Sequence, residues 1–191
     1  MILQSHNSWS YLKPKKWWLR PLAFMAKCQS ASIKEQYSLY NTRSFDLRVR
    51  FNDKGDIIIA HGYFEYNIDE ISLMNDLSFL NDNECVVRVI HEVRRKSQYT
   101  EESVNNFREF CKHLETKFPK IKFYKGRNLY NWEVDYRFDY NPTEEEVYSS
   151  VCKPRLIDDW CPWFFAKRNN RNTLEKGTDK DILSIDFVNI S

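Results

Sequence analysis

Two histidines, one arginine and several acids stand where the chain could use them for chemistry. His6 lies in Ser5-His6-Asn7-Ser8, just after the first apolar stretch. Asp46 and Arg48 occupy one side of the alternating segment 44–51 (SFDLRVRF), whose other side is Phe45, Leu47, Val49 and Phe51. His61 follows Ile57-Ile58-Ile59-Ala60 and precedes Gly62, at a strand's C-terminal end, which in α/β barrels carries the chemistry. Glu92 sits late in the apolar run 85–93, and Asp186 lies within Leu183-Ser184-Ile185-Asp186-Phe187-Val188. Each has a plainer reading alone: a satisfied histidine, a structural ion pair, a loop cap or, for Asn7, a turn residue. Together they suit phosphoryl chemistry. One imidazole can take a proton, the other can give one, and the guanidinium can offset phosphoryl charge. An Asp–Arg pair facing into a barrel also needs partners or a ligand.

The elements that must position these groups alternate between strands and helices. Strict period-two alternation predicts a strand over 44–51, a turn at 53–55 and a returning strand over 56–60. Helical spacing predicts helices over 31–40 and 69–80. A third runs over 101–118, capped by Thr100 and stopped by Pro119. The valine-rich run 85–93 reads as a buried parallel strand, and 121–124 and 181–189 as further strands. Thr143 with three following glutamates predicts a helix over 143–151, and 159–168 reads as another. This order implies an α/β fold with a mainly parallel sheet. Eight full βα units usually need about 250 residues, so a barrel on 191 residues must shorten or lose helices.

Composition narrows the function. Hydrophobic residues make up 42%, charged residues 29% and aromatic residues 16%, which excludes wholesale disorder. A net charge of +2 does not mark a nucleic-acid binder, and none is expected as partner. No apolar run reaches bilayer length, and the start carries no hydrophobic signal core, so the expectation is a cytoplasmic protein. Five cysteines without a C-x-x-C read as reduced, mostly buried thiols, with no zinc site and no nucleophilic Cys–His pair expected.

Ser5-His6-Asn7-Ser8, Ser32-Ile33-Lys34-Glu35-Gln36, Arg43-Ser44-Phe45-Asp46-Leu47-Arg48, Ala60-His61-Gly62 and Ser184-Ile185-Asp186-Phe187-Val188 occur in an order and spacing that resemble the X-type catalytic domain of phosphatidylinositol-specific phospholipase C. The likeness covers residues 1–95 and 181–189. It implies a compact, distorted or incomplete TIM (β/α) barrel over a single domain, 1–191. It also implies roles: His6 as general base on the inositol 2-hydroxyl, Asp186 orienting His6, and His61 as general acid on the leaving oxygen. Arg48 would neutralise phosphoryl charge, Asp46 would support the group, and a cyclic inositol phosphate would be the first product. Asn7, Glu92 and Arg155 are candidate substrate contacts. Two departures bear on cofactors. Metal-independent bacterial members carry Asp where this chain has Asn7, and calcium-dependent members carry an acid where it has Arg48. A guanidinium there replaces a metal's charge and repels Ca²⁺. The expectation is therefore no cofactor, with Ca²⁺ on Asn7, Asp46 and Glu92 as the alternative.

Lys13-Pro14-Lys15-Lys16-Trp17-Trp18-Leu19-Arg20 places a Trp pair among four cations. It reads as a membrane-interface segment or as rings packed on the barrel. The run Trp160-Cys161-Pro162-Trp163-Phe164-Phe165 reads as a groove lining or as core. A peripheral membrane contact, a phospholipid or other phosphodiester substrate and a monomer are the expected associations. Two other readings stay open. One is a metal-dependent glycerophosphodiester phosphodiesterase, whose His-Arg-Gly start and Glu-x-Asp pair are missing. The other is a barrel that binds lipid or phosphodiester and turns it over weakly.

Overall fold

The computed structural model describes residues 2–92, 100–123, 138–140, 147–148, 160–177 and 182–190. Arg94-Arg95-Lys96, Cys152, Lys153, Arg155 and most of the helix expected over 143–151 lie outside them.

Strand β1 (Ile2–Ser5) pairs in parallel with β2 (Ser44–Phe51) on one side and with β9 (Ile182–Ile185) on the other. β2 in turn pairs in parallel with β5 (Val86–His91). Two short parallel strands flank this core: β6 (Lys122–Phe123) beside β5 and β8 (Val147–Tyr148) beside β9. Antiparallel additions complete the sheet. β7 (Phe138–Tyr140) borders β5, β3 (Ile57–His61) borders β2, and β4 (Phe64–Glu65) borders β3. Among the described residues the sheet does not close, because no ladder joins β8 to β6 or β7. The fold is an α/β, incomplete TIM-like barrel.

β2 is longer than its barrel neighbours, and this shapes the site. On the edge opposite β5, its first residues pair with β1 (Gln4↔Ser44, Ser5↔Phe45) and its last with β3 (Val49↔Ile59, Phe51↔Ile57). The upper half of β2 is thus one arm of a hairpin. The turn between its arms is tied by Asn52, whose Oδ1 accepts from the Lys54 and Asp56 amides at 2.9 and 2.8 Å. His61 therefore arrives on an antiparallel strand that runs back toward the middle of β2. It stands at a strand's C-terminal end as expected, and the strand that carries it is the returning arm of the expected hairpin, not a parallel barrel strand.

Helices cover the apolar face. α1 (Ile33–Tyr40) starts with a reciprocal cap between Ser32 and Glu35. α2 (Glu70–Asp82) is capped by Asp69, and α3 (Glu101–Lys117) by Thr100 with Ser103. Leu77 and Leu80 of α2 and Phe107, Cys111 and Leu114 of α3 join Phe45, Leu47 and Val49 of β2 in one core. α4 (Pro162–Lys176) has Pro in its first turn, where the missing N–H costs no helical bond. It ends at Gly177, where a Cβ would clash with the Leu183 side chain and stand 2.9 Å from the Thr173 carbonyl, so a side chain there would have to push Leu183 of β9 aside.

Three expectations change. The helix read over 159–168 runs from Pro162 to Lys176, because its inner face continues through Asn169, Asn170 and Thr173, which are buried but polar. Val147–Tyr148, read as helix from its preceding glutamates, is a strand, since pairing with β9 outweighs a local capping signal. The last strand stops at Ile185, and Asp186 lies in the bend beyond it.

Candidate active site

The site is built where β1 and β9 end. In register, Ser5 pairs with Phe45 and with Ile185, so His6 and Asp186, just past the ends of β1 and β9, stand at the level of Asp46 within β2, with Arg88 of β5 paired to Asp46. Asn7 and Phe187 then take the left-handed backbone (φ 44° and 48°), which turns the chain sharply after His6 and after Asp186. A Phe in that region is uncommon and strained. It is held by its amide donating to Cys28 O at 2.5 Å and by Asn170 Nδ2 donating to the Asp186 carbonyl at 2.7 Å.

His6 is oriented from both ring nitrogens. Nδ1 lies 2.6 Å from Asp186 Oδ1, and Nε2 lies 2.5 Å from an Arg48 terminal nitrogen. A guanidinium only donates, so Nε2 is the acceptor and Nδ1–H donates to Asp186. Arg48 also donates through Nε and its NH2 group to Asp46 Oδ2 (3.1 and 2.9 Å) and through NH1 to Glu92 Oε2 (3.2 Å). Asp46 accepts the Asn7 amide at 3.1 Å as well. Burial alone would raise the Asp46 pKa, but Arg48, Arg88 and His6 outweigh it and hold the carboxyl well below the usual carboxylate range.

His61 stands across from His6, with ring centroids 6.0 Å apart and planes at 86°. Its Nδ1 donates to the Ala26 carbonyl at 2.9 Å, which leaves Nε2 for a ligand. Burial, followed by the charge of Arg48, pushes its pKa down from 6.5 to about 4. Its strand end is tied down through Glu92: Gly62 N donates to Glu92 Oε1 at 2.9 Å, and Arg50 Nε donates to Glu92 O at 3.2 Å. Arg50 also bonds the Gly62 carbonyl.

The structure therefore brings His6, Asp46, Arg48, His61 and Asp186 together. Asn7 and Glu92, expected at the substrate, have covered side chains (0% and 1% exposed). Glu92 spends both carboxylate oxygens inside the constellation, because the buried Arg48 needs a second counter-charge. Trp17 and Trp18 lie on a 3₁₀ segment (Trp17–Met25) and are 71% and 56% exposed, so they are not core.

Several supporting residues carried no signal in the sequence. Gln29 Nε2 donates to the His6 and Ile185 carbonyls at 3.1 and 3.0 Å, joining the ends of β1 and β9. Ser8 Oγ accepts the Asp46 amide at 3.0 Å, and Ser10 Oγ accepts the Cys28 and Gln29 amides at 2.9 and 2.8 Å. Only Ser8 stood in a quoted motif. The others act on backbone groups distant in sequence, which spacing does not reveal.

This barrel, with its polar end, has the fold of the bacterial phosphatidylinositol-specific phospholipases C. A histidine-to-tyrosine variant of the enzyme from Staphylococcus aureus superposes with a TM-score of 0.63 at 14% identity, covering 97% of this chain and 84% of that one. The enzyme from Listeria monocytogenes gives 0.53 at 12% identity, covering 97% and 87%. No family model matches the sequence, and no curated protein matches it.

Proposed function

We propose that the chain is a phosphodiesterase of the phospholipase C type, cleaving an inositol phospholipid or a related phosphodiester by general acid–base catalysis. The observation that carries this is the pair of histidines at 6.0 Å with Arg48 bonded to one of them. In the proposed reaction the substrate hydroxyl displaces Arg48 from His6 Nε2 and gives its proton to that nitrogen. Its oxygen bonds to phosphorus, and the freed guanidinium moves onto the phosphoryl oxygens. Asp186 stabilises the imidazolium that forms. The bond to the leaving alcohol breaks as His61 Nε2 supplies a proton. With a pKa near 4, His61 is neutral in the empty site, so the phosphodiester's own negative charge must favour its protonation.

The reading is metal-free. Arg48 links Asp46 and Glu92, and a Ca²⁺ on Asn7, Asp46 and Glu92 would have to break both pairs and free a Glu92 oxygen from Gly62. A peripheral membrane contact belongs to the same proposal. Trp17, Trp18, Leu22 and Phe24 are exposed beside Lys13, Lys15, Lys16 and Arg20, and α4, with exposed Trp163 and Phe164, touches the same segment. Among the described residues no helix is long and apolar enough to cross a membrane.

The test is a phosphodiester screen with and without chelator, using His6→Ala as control. Phosphatidylinositol should give diacylglycerol and a cyclic inositol phosphate in chelator. Turnover that needs added Ca²⁺ overturns the metal-free mechanism. No turnover of any phosphodiester, or turnover that His6→Ala retains, overturns the assignment.

A further inference from the structure

Cys28 lies inside the site yet has no part in phosphodiester cleavage. It is 1% exposed, and its backbone is stitched to Ser10 on one side and to Phe187, the residue after Asp186, on the other. Its sulfur stands 3.9 Å from His61 Nδ1. A ring nitrogen of His6, the Cys28 sulfur and an Asp186 carboxylate oxygen all lie within 4.8 Å of one another. Sequence spacing gives no hint of this set, because its members are far apart along the chain.

We infer that His6, Cys28 and Asp186 form a binding site for a thiophilic divalent cation of the Zn²⁺ kind, and that its occupancy switches the phosphodiester chemistry off. Sulfur, imidazole nitrogen and carboxylate oxygen are the donors that Zn²⁺ takes, at about 2.3, 2.0–2.1 and 2.0–2.2 Å. Tetrahedral geometry at those lengths sets ligand atoms about 3.2–3.6 Å apart. The three atoms reach that spacing if the sulfur closes in by about 1 Å and the His6–Asp186 pair, now at 2.6 Å, opens. Asp186 sits in a bend and is 14% exposed on its side chain, and His6 is 21% exposed. An ion can therefore enter from solvent with Cys28 at the floor and water as the fourth ligand. The thiol proton leaves to solvent as the sulfur–metal bond forms, so thiolate and carboxylate neutralise the dication. His6 frees a nitrogen either by moving its Nδ1 proton to Nε2 or by releasing Arg48 from Nε2, so that the Arg48 contact is lost in both cases. Asp46, whose Oδ2 is 3.8 Å from His6 Nε2, offsets the nearby Arg48. Ca²⁺ and Mg²⁺ prefer six or more oxygen ligands and are poorly served by this set. Once ligated, His6 is fixed on the metal and Asp186 no longer orients it, so the proposed base is lost. This inhibitory half rests on the function proposed above, whereas the metal site does not.

The test uses the reduced full chain. Zn²⁺ is titrated against a chromophoric chelator, and Co²⁺ is followed by absorption. The expected result is one ion per chain and a thiolate-to-cobalt charge-transfer band. Cys28→Ser should abolish the band and weaken binding by about 100-fold or more, while Cys161→Ser retains both. If Cys28→Ser fails to fold, Asp186→Asn, at the rim of the site, decides: it should weaken binding about tenfold or more with the band retained. No thiolate band in the parent, or a band that survives Cys28→Ser, overturns the site. Turnover is read separately. Zn²⁺ should inhibit the parent and spare Cys28→Ser at the same concentration, and undiminished turnover at saturating Zn²⁺ overturns the switch. If the chain cleaves no phosphodiester, the proposed function fails while the titrations still decide the metal site.

Discussion

Phe45, Leu47 and Val49 on one face of β2 and Asp46, Arg48 and Arg50 on the other are all buried, but they answer to different physics. The apolar face packs on α2 and α3 and is held by area removed from water, which tolerates a changed shape at a graded cost. The polar face is held by pairing. Asp46 and Glu92 each need Arg48, and Arg50 ties Glu92 to the loop after His61. Removing one partner there takes a close counter-charge away from a buried ion. The two faces should therefore fail differently when one residue is changed.

The largest expected effect is at Arg48. Arg48→Met takes the bonded counter-charge from two buried carboxylates and should cost about 3–5 kcal/mol of stability. It should also cost about 10²–10³-fold in turnover if the guanidinium stabilises the phosphoryl charge. Urea unfolding and a phosphodiester assay read the two separately. Leu47→Ala, one residue away on the apolar face, should cost a comparable 2–5 kcal/mol, roughly, but leave turnover of the folded fraction near the parent value. Equal losses of turnover in both variants would erase the distinction between the faces.

His6→Ala isolates chemistry from structure. Turnover should fall about 10²–10⁴-fold, while the urea midpoint moves little, since the ring is at the rim and Arg48 keeps its two carboxylates. A large loss of stability would make His6 a structural member of the polar face.

Acid should weaken both faces next, through His61 on the polar side and His91 on the apolar side. His61 and His91 are both pushed down to about 4, chiefly by burial, and unfolded histidine titrates near 6.5. Between those values the unfolded chain binds more protons, so stability falls as pH drops from about 6.5 to about 4. The loss is on the order of 3 kcal/mol per histidine at most. Below that window Asp46, whose carboxyl is held below the usual range, adds to the loss. Urea midpoints from pH 7 to 4 give the slope. His91→Phe, which keeps the stack on Phe107 (5.1 Å), should flatten it.

The smallest effect on the fold is expected at the surface rings. Trp9 is buried and its Nε1 donates to Asp76 at 3.1 Å, so Trp9→Ala should cost about 3–5 kcal/mol. Replacing Trp17 and Trp18 together with Ala should leave the melting temperature and soluble phosphodiester turnover nearly unchanged while weakening binding to anionic vesicles. A collapse of stability in the double variant would return these rings to the core.

The sequence carried β2, α3 and the five converging polar residues because each was announced locally. Alternation marked the two faces of β2, Thr100 and Pro119 bounded α3, and short motifs held His6, Asp46, Arg48, His61 and Asp186. Features settled by distant partners stayed hidden. β8 is two residues long and exists through its ladder with β9. The continuation of α4 is disguised by a buried polar face. Gln29 and Cys28 matter through groups brought to them by β1 and β9.

The dyad of His6 and Asp186 spans 180 positions of chain. Closing a loop of that size costs about 4–5 kcal/mol in chain entropy, and long-range pairings of this kind slow folding. During synthesis at about 5–20 residues per second, His6 emerges well before its orienting acid exists. A nascent chain that stops before β9 holds the histidine without the carboxylate or the β1–β9 ladder that aims it. The oriented histidine is therefore a late event in biogenesis, and the appearance of an Asp186-bonded His6 signal in a refolding experiment should coincide with the slowest phase, when β1 and β9 meet.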